Sequence, residues 1–345
     1  VTGVAGPGPW PGLDVLDAQS AVLGDLVDVP EGVDGLPFTV QLGSRGPGAE
    51  PLGRTAALLA DMPSELGPHG WRLSDRPGLD LERSRAYLRE DLDALAVAGY
   101  GWTGPLTVQV LGPWTLAANL YLARGDRVLS DAGAVRALVE SLTAGLSDHV
   151  AAVRAQVPGA EVVVQVHEPL VAQVAAGVLP TFSGYSRLRA VEGADLVDGL
   201  RPLLDGTRAL GARTVVHVGR SWVGVAPAVH AGADDLGLDL APVGAWDERV
   251  WELVARATER GMRLWAGLPP AHVSQCAGAD VRGLADVVAV PWRRLGLPAE
   301  GLSDVVLTSP LGPLTGPVPG TPQEARGALG TTVRAAVALA DVAHG

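Results

Sequence analysis

Short apolar runs recur along the chain with helical stretches between them, which is the alternation of a parallel α/β fold. Eight runs read as strands: residues 2–8, 37–43, 105–111, 161–167, 213–218, 235–240, 263–268 and 304–308. Eight is the number that closes a barrel, so the pattern predicts an α/β fold, a (β/α)8 TIM barrel, with residues 1–345 as one domain. Between the strands lie amphipathic segments. In 81–98, Leu88, Leu92, Leu95 and Ala96 recur at helical spacing beside Glu82, Arg85, Arg89 and Asp93. Further helices are expected over 131–156, 193–210 and 246–260, and Thr321 with Glu324 has the form of a capping box opening a last helix toward Val342. The Pro/Gly-rich stretches 3–12, 43–53 and 309–320 each follow a strand, so they read as loops of the face that carries barrel active sites rather than as linkers. No internal repeat is visible.

Composition narrows the function classes. Hydrophobic residues make up 47% and charged residues 19%, enough apolar content for a layered core. The chain has no lysine, which excludes Schiff-base chemistry. A net charge of −12 repels polyphosphate and gives nucleic-acid binding no electrostatic support. One cysteine, Cys276, excludes an internal disulfide and any site needing two thiolates from one chain. No apolar run approaches the roughly 18 residues that span a bilayer, and residues 1–10 lack a signal-like pattern. A cytoplasmic protein acting on a small molecule, as a monomer or homodimer, is the expectation.

Three segments carry a resemblance. Gly6-Pro7-Gly8-Pro9-Trp10-Pro11-Gly12, Val110-Leu111-Gly112-Pro113-Trp114-Thr115-Leu116 and Gln165-Val166-His167-Glu168-Pro169 resemble, in order, the strand-one, strand-three and Asp-Glu-Pro loops of the catalytic barrel of cobalamin-independent methionine synthase. His217, at the end of the run Thr214-Val215-Val216-His217, and Asp239, at the end of another strand, fall where that family places a zinc His and a zinc Glu. The similarity spans essentially the whole chain and only the catalytic half of the full-length enzyme. It implies a stand-alone barrel in a superfamily that also contains uroporphyrinogen decarboxylase, which shares the barrel and not the zinc.

By that resemblance, zinc would bind a homocysteine-like thiol, lower its pKa and direct the thiolate at the methyl group of a folate donor. The departures bear on this chemistry. The two family cysteines correspond to Gly219 and Leu311, neither of which offers a side-chain ligand, and the loop-one serine is Pro9. The acidic residue expected after strand two is Ser44 or Arg45, and the Asp of the Asp-Glu-Pro loop is His167. His217 and Asp239 alone supply two ligands, short of the usual three or four for zinc.

Each candidate also has an ordinary structural reading. His167 and Glu168 are adjacent at a strand end, so one of them faces the pocket; Glu168 would grip a substrate amine or act as general base, or else pair with an arginine. Arg45, Arg54, Arg72 and Arg220 could clamp a ligand carboxylate, or meet some of the chain's 38 carboxylates. Arg45 and Ser44 lie in a Gly/Pro loop after strand two. Trp10, Trp71 and Trp114 could stack on a flat ring or simply pack the core. Cys276 stands four residues after His272, where a helical turn over 270–277 would put both on one face as a rerouted metal site. Gly6, Gly8 and Gly12 invite a dinucleotide reading, but the spacing is wrong and the interleaved prolines lack the amides such a loop needs. Three functions remain: methyl transfer to a thiol, metal-free chemistry like that of the decarboxylases, and a non-catalytic metabolite-binding barrel.

Overall fold

In the computed structural model, which describes residues 1–241, 247–269 and 281–345, the repeated strands form one all-parallel sheet. The strands are β1 (Thr2–Val4), β2 (Val33–Gly35), β5 (Gly104–Leu111), β6 (Ala160–His167), β7 (Arg213–His217), β8 (Asp235–Asp239), β9 (Arg263–Gly267) and β10 (Val306–Thr308), in the order β2-β1-β10-β9-β8-β7-β6-β5. A separate hairpin, β3 (Ser64–Gly67) with β4 (Gly70–Leu73), is antiparallel. Beyond β2 the chain crosses to β5: the Thr107 amide donates to the Pro37 carbonyl at 2.8 Å and the Thr39 amide to the Thr107 carbonyl at 2.9 Å. These bonds join the two sheet edges and close the (β/α)8 barrel.

The second strand departs from the expected 37–43 and begins at Val33. Gly35 sits against helix α1 (Val15–Val27), where a Cβ would lie 1.7 Å from the Leu26 carbonyl oxygen, so only glycine lets the strand pass there. Residues 37–41 serve instead as the closing bridge, Gln41 pairing with Pro9 and Phe38 with Thr107.

The helices are α2 (Pro51–Leu58), α3 (Leu79–Ala98), α4 (Pro113–Asn119), α5 (Ala132–Gln156), α6 (Val171–Ala176), α7 (Gly193–Ala209), α8 (Val225–Ala231), α9 (Glu248–Thr258), α10 (Val281–Arg294) and α11 (Pro322–His344). Asp131 and Asp247 cap α5 and α9, and the Thr321–Glu324 capping box opens α11 as its spacing predicts. Among the described residues no helix is long and apolar enough to cross a membrane.

Strand alternation divides the core in two. Val162, Val164, Val166, Val216, Leu236, Leu238 and Leu264 point outward into a continuous layer with the helices. Ala5, Leu36, Val163, Val215, Trp265 and Val306 form a separate apolar plug inside the barrel. Beneath it Asp235 is 1% exposed at its side chain, paired bidentately with Arg213 and accepting from Trp265 Nε1 at 3.1 Å. The plug makes the interior a packed floor, so chemistry is confined to the layers above it.

Candidate active site

In a parallel sheet, residues paired in register share a face, as do residues two apart on one strand. Gln165 pairs with Gln109 and Val215, and His167 pairs with His217. Asp239 pairs with Gly267, and Gly267 with Thr308. All therefore point inward on the side of the plug residues Val163 and Val215, toward the carboxyl ends of the strands. Two glycines make room. A Cβ at Gly237 would meet the His217 ring at 2.5 Å, and one at Gly267 would meet Asp239 Oδ1 at 2.3 Å.

His217 and Asp239, predicted from strand-end positions, are brought together: His217 Nε2 lies 3.5 Å from Asp239 Oδ1. The approach lacks hydrogen-bond geometry, and burial sets the charge states. It pushes His217 down to about 3 and Asp239 up to about 6, the latter opposed by the Leu311 amide and the charge of Arg220. The pair joins a neutral imidazole to a carboxyl near its own titration point. It is not an ion pair.

Backbone groups hold this pair at the two positions where the resemblance expects cysteine. The Gly219 amide donates to His217 Nδ1 at 3.2 Å, and the Leu311 amide to Asp239 Oδ1 at 3.1 Å. With Nδ1 accepting, the ring proton is assigned to Nε2. Gly219 has φ +67, and a Cβ there would stand 3.1 Å from Pro169 Cα. His217 Nε2 and Asp239 Oδ1 are two donors. Among the described residues no group of three or more His, Cys, Asp or Glu is disposed to hold a metal, so this set does not fit the zinc that the resemblance implies. His272 and Cys276 lie outside the described residues.

His167 faces inward, its ring 6.0 Å from that of His217 in an edge-on arrangement; burial, then the neighbouring imidazole, holds it neutral, well below the usual histidine range. Glu168 turns the other way. Gly112 leaves it space, since a Cβ there would lie 2.3 Å from Glu168 Oε1. Oε1 accepts the Trp114 amide at 2.9 Å and Oε2 the Thr115 amide at 2.7 Å, at the start of α4. Burial pushes this carboxyl up to about 7 against the lowering bonds of the Thr115 hydroxyl and the Trp114 and Thr115 amides. Glu168 thus fastens the end of β6 to α4, and among the described residues it pairs with no arginine.

The other expected residues disperse. Arg45 pairs with Glu90 and Asp91 on α3 and lies over the Tyr87 ring, and Arg54 shares the same Asp91 carboxylate. Both guanidiniums are therefore engaged away from the barrel axis. Ser44 is exposed. Trp114 is buried and donates to the Leu196 carbonyl at 2.9 Å, cementing α4 to α7. Trp10 is buried against Phe38. Arg220 alone of the arginines expected to read carboxylates is both exposed and close enough to act on Asp239.

Sequence reasoning missed the polar ring above the plug. Gln165 is fully buried with both amide atoms unpartnered, and Thr308 Oγ1 and Gln41 Oε1 are likewise without partners among the described residues. The signal was present in Val162-Val163-Val164-Gln165-Val166-His167, where a glutamine two residues before His167 must share its face.

No family model matches the chain, and no curated protein matches it. Among solved structures it is similar to a B12-independent methionine synthase from Shewanella sp. W3-18-1 in complex with selenomethionine. The TM-score is 0.59 at 14% identity, over 97% of this chain and 96% of that one. The likeness establishes the fold. A D-psicose 3-epimerase from Clostridium cellulolyticum H10 aligns more loosely, with TM-score 0.37 and 11% identity over 73% of this chain and 81% of that one. The relation to methionine synthase is thus one of distant shared architecture.

Proposed function

We propose that the barrel mouth is a metal-free proton-transfer site for a small carboxylate-bearing ligand. Asp239 carries the proton, His217 is its neutral partner, and Arg220 receives the ligand carboxylate. The observation that supports this most is the capture of His217 Nδ1 and Asp239 Oδ1 by the Gly219 and Leu311 amides, which fixes both side chains by hydrogen bonds. A carboxyl titrating near 6 is suited to proton exchange near neutrality: ionised it accepts a proton from an acidic ligand position, and protonated it returns one. His217, neutral and 3.5 Å away, stands beside the ionised form without itself becoming charged.

A panel of pyruvate, malonate and glutarate tests the reading by thermal shift. At least one should stabilise the protein, the shift should vanish in Arg220→Ala, and solvent deuterium should enter the bound ligand only when Asp239 is present. No shift with any of them, or an equal shift in Arg220→Ala, contradicts the binding role. Binding without deuterium uptake would leave a metabolite-binding barrel.

The resemblance supports a second reading, methyl transfer from a folate donor to a homocysteine-like thiol, and the 3.5 Å approach of His217 and Asp239 is the feature in its favour. It requires a zinc that two donors do not satisfy. Tight binding of one equivalent of zinc, with stabilisation by homocysteine, would favour this reading; absence of both removes it.

A further inference from the structure

Three excursions from the carboxyl ends of neighbouring strands meet at the barrel rim. Hairpin β3–β4 follows β2, residues 120–130 follow β5 by way of α4, and residues 177–192 follow β6 by way of α6. Tyr121 adds a single parallel bridge to β4, its amide donating to the Trp71 carbonyl at 2.9 Å and its carbonyl accepting the Leu73 amide at 2.8 Å. The Phe182 amide donates to Asp126 Oδ2 at 2.9 Å, tying the third excursion to the second.

They line a half-open cavity of about 360 Å³, within the range of small-molecule sites. The His69 and Phe182 rings are 4.8 Å apart at 78°, and Tyr121 and Phe182 are 6.1 Å apart at 83°. Phe182 is 53% exposed, an aromatic surface that the chain's own packing does not cover. The lining holds Arg72 and Arg124 and no carboxylate. Arg72 is shared with Glu65, whereas Arg124 is exposed and pairs with no carboxylate among the described residues. In a chain of net charge −12, a cavity with aromatic walls and a cationic edge stands out by its charge.

We infer that this rim cavity binds a planar aromatic molecule bearing one anionic group, its ring against Tyr121, His69 and Phe182 and its anionic group on Arg124. Aromatic walls supply apolar contact and edge-to-face geometry, and a guanidinium matches a carboxylate or phosphate. The cavity overlies β2, β5 and β6, whereas Asp239 ends β8 and Arg220 follows β7, so it stands independently of the proton-transfer site.

Calorimetry on the whole chain with 4-hydroxybenzoate and indole-3-acetate as aryl carboxylates, AMP as a nucleotide, and benzyl alcohol as a neutral ring tests it. At least one anionic probe should bind, with benzyl alcohol about tenfold weaker or more. Phe182→Ala and Arg124→Ala, both at exposed positions, should each weaken binding by about tenfold, while Arg220→Ala leaves it unchanged. AMP alone binding would assign the phosphate-bearing source, and the aryl carboxylates alone the other. No binding by any anionic probe, equal binding of benzyl alcohol, or indifference to both rim substitutions overturns the inference.

Discussion

Gly219 holds His217 and Asp239 together through its backbone. Its amide donates to His217 Nδ1 at 3.2 Å, and its carbonyl accepts the Asp239 amide at 2.8 Å, so one residue sets both members of the pair. The left-handed φ of +67 and the 3.1 Å approach to Pro169 Cα disfavour a side chain there. Gly219→Cys should lower stability by about 1–2 kcal/mol in urea denaturation and should not confer zinc binding. Tight zinc binding by that variant would mean that the loop is not committed to its present geometry.

Glu168 makes a pH-dependent contribution whose sign follows from its surroundings. Its pKa is raised from 4.5 to about 7 in the folded state, so the folded chain holds this proton more tightly than the unfolded chain. The associated stability is fully present below about pH 4.5 and is lost as pH rises through about 7. Relative to Glu168→Gln, which cannot titrate, the wild type should therefore lose roughly 3 kcal/mol over that interval. The buried His149, His167 and His217 have lowered values and act in the opposite sense, losing stability as pH falls below the ordinary histidine value of 6.5, but they are common to both proteins and cancel. A pH-independent difference in urea denaturation would contradict the assignment.

Asp91 is the shared anion for two nearly buried guanidiniums, Arg45 and Arg54, whose side chains are 8% and 6% exposed. Asp91→Ala strands the Arg54 charge and leaves Arg45 only the exposed Glu90, and should cost about 3–5 kcal/mol, read by denaturation. Ligand binding at the barrel mouth should survive in whatever fraction stays folded. Loss of ligand affinity in folded Asp91→Ala protein would restore Arg45 to a binding role.

Strands β5 to β9 were legible in the sequence because each is a dense apolar run bounded by turn residues, and α5, α9 and α11 because their capping residues stand at the ends of periodic segments. Strand β2 was displaced because the apolar run 37–43 reads as a strand and in fact serves as the barrel's closing bridge. The hairpin at 64–73 alternates over only four residues per strand, too few to stand out from a loop.

At the site, the strand-end positions of His217 and Asp239 were enough to predict their approach. The outward turn of Glu168 was not readable, because the pleat leaves two adjacent residues with opposite faces and no local rule says which is inner. Arg45 misled because its partners, Glu90 and Asp91, are 45 and 46 residues away in the chain and meet it only through the packing of α3.

Asp239 is proposed above as a hydrogen-bonded, proton-exchanging carboxyl rather than a metal ligand. Its titration can be followed directly by carbonyl-carbon NMR, with the resonance assigned by its loss in Asp239→Asn. A midpoint near pH 6, unmoved by equimolar zinc, is the predicted result. A midpoint in the ordinary aspartate range, or one that zinc displaces, would contradict it.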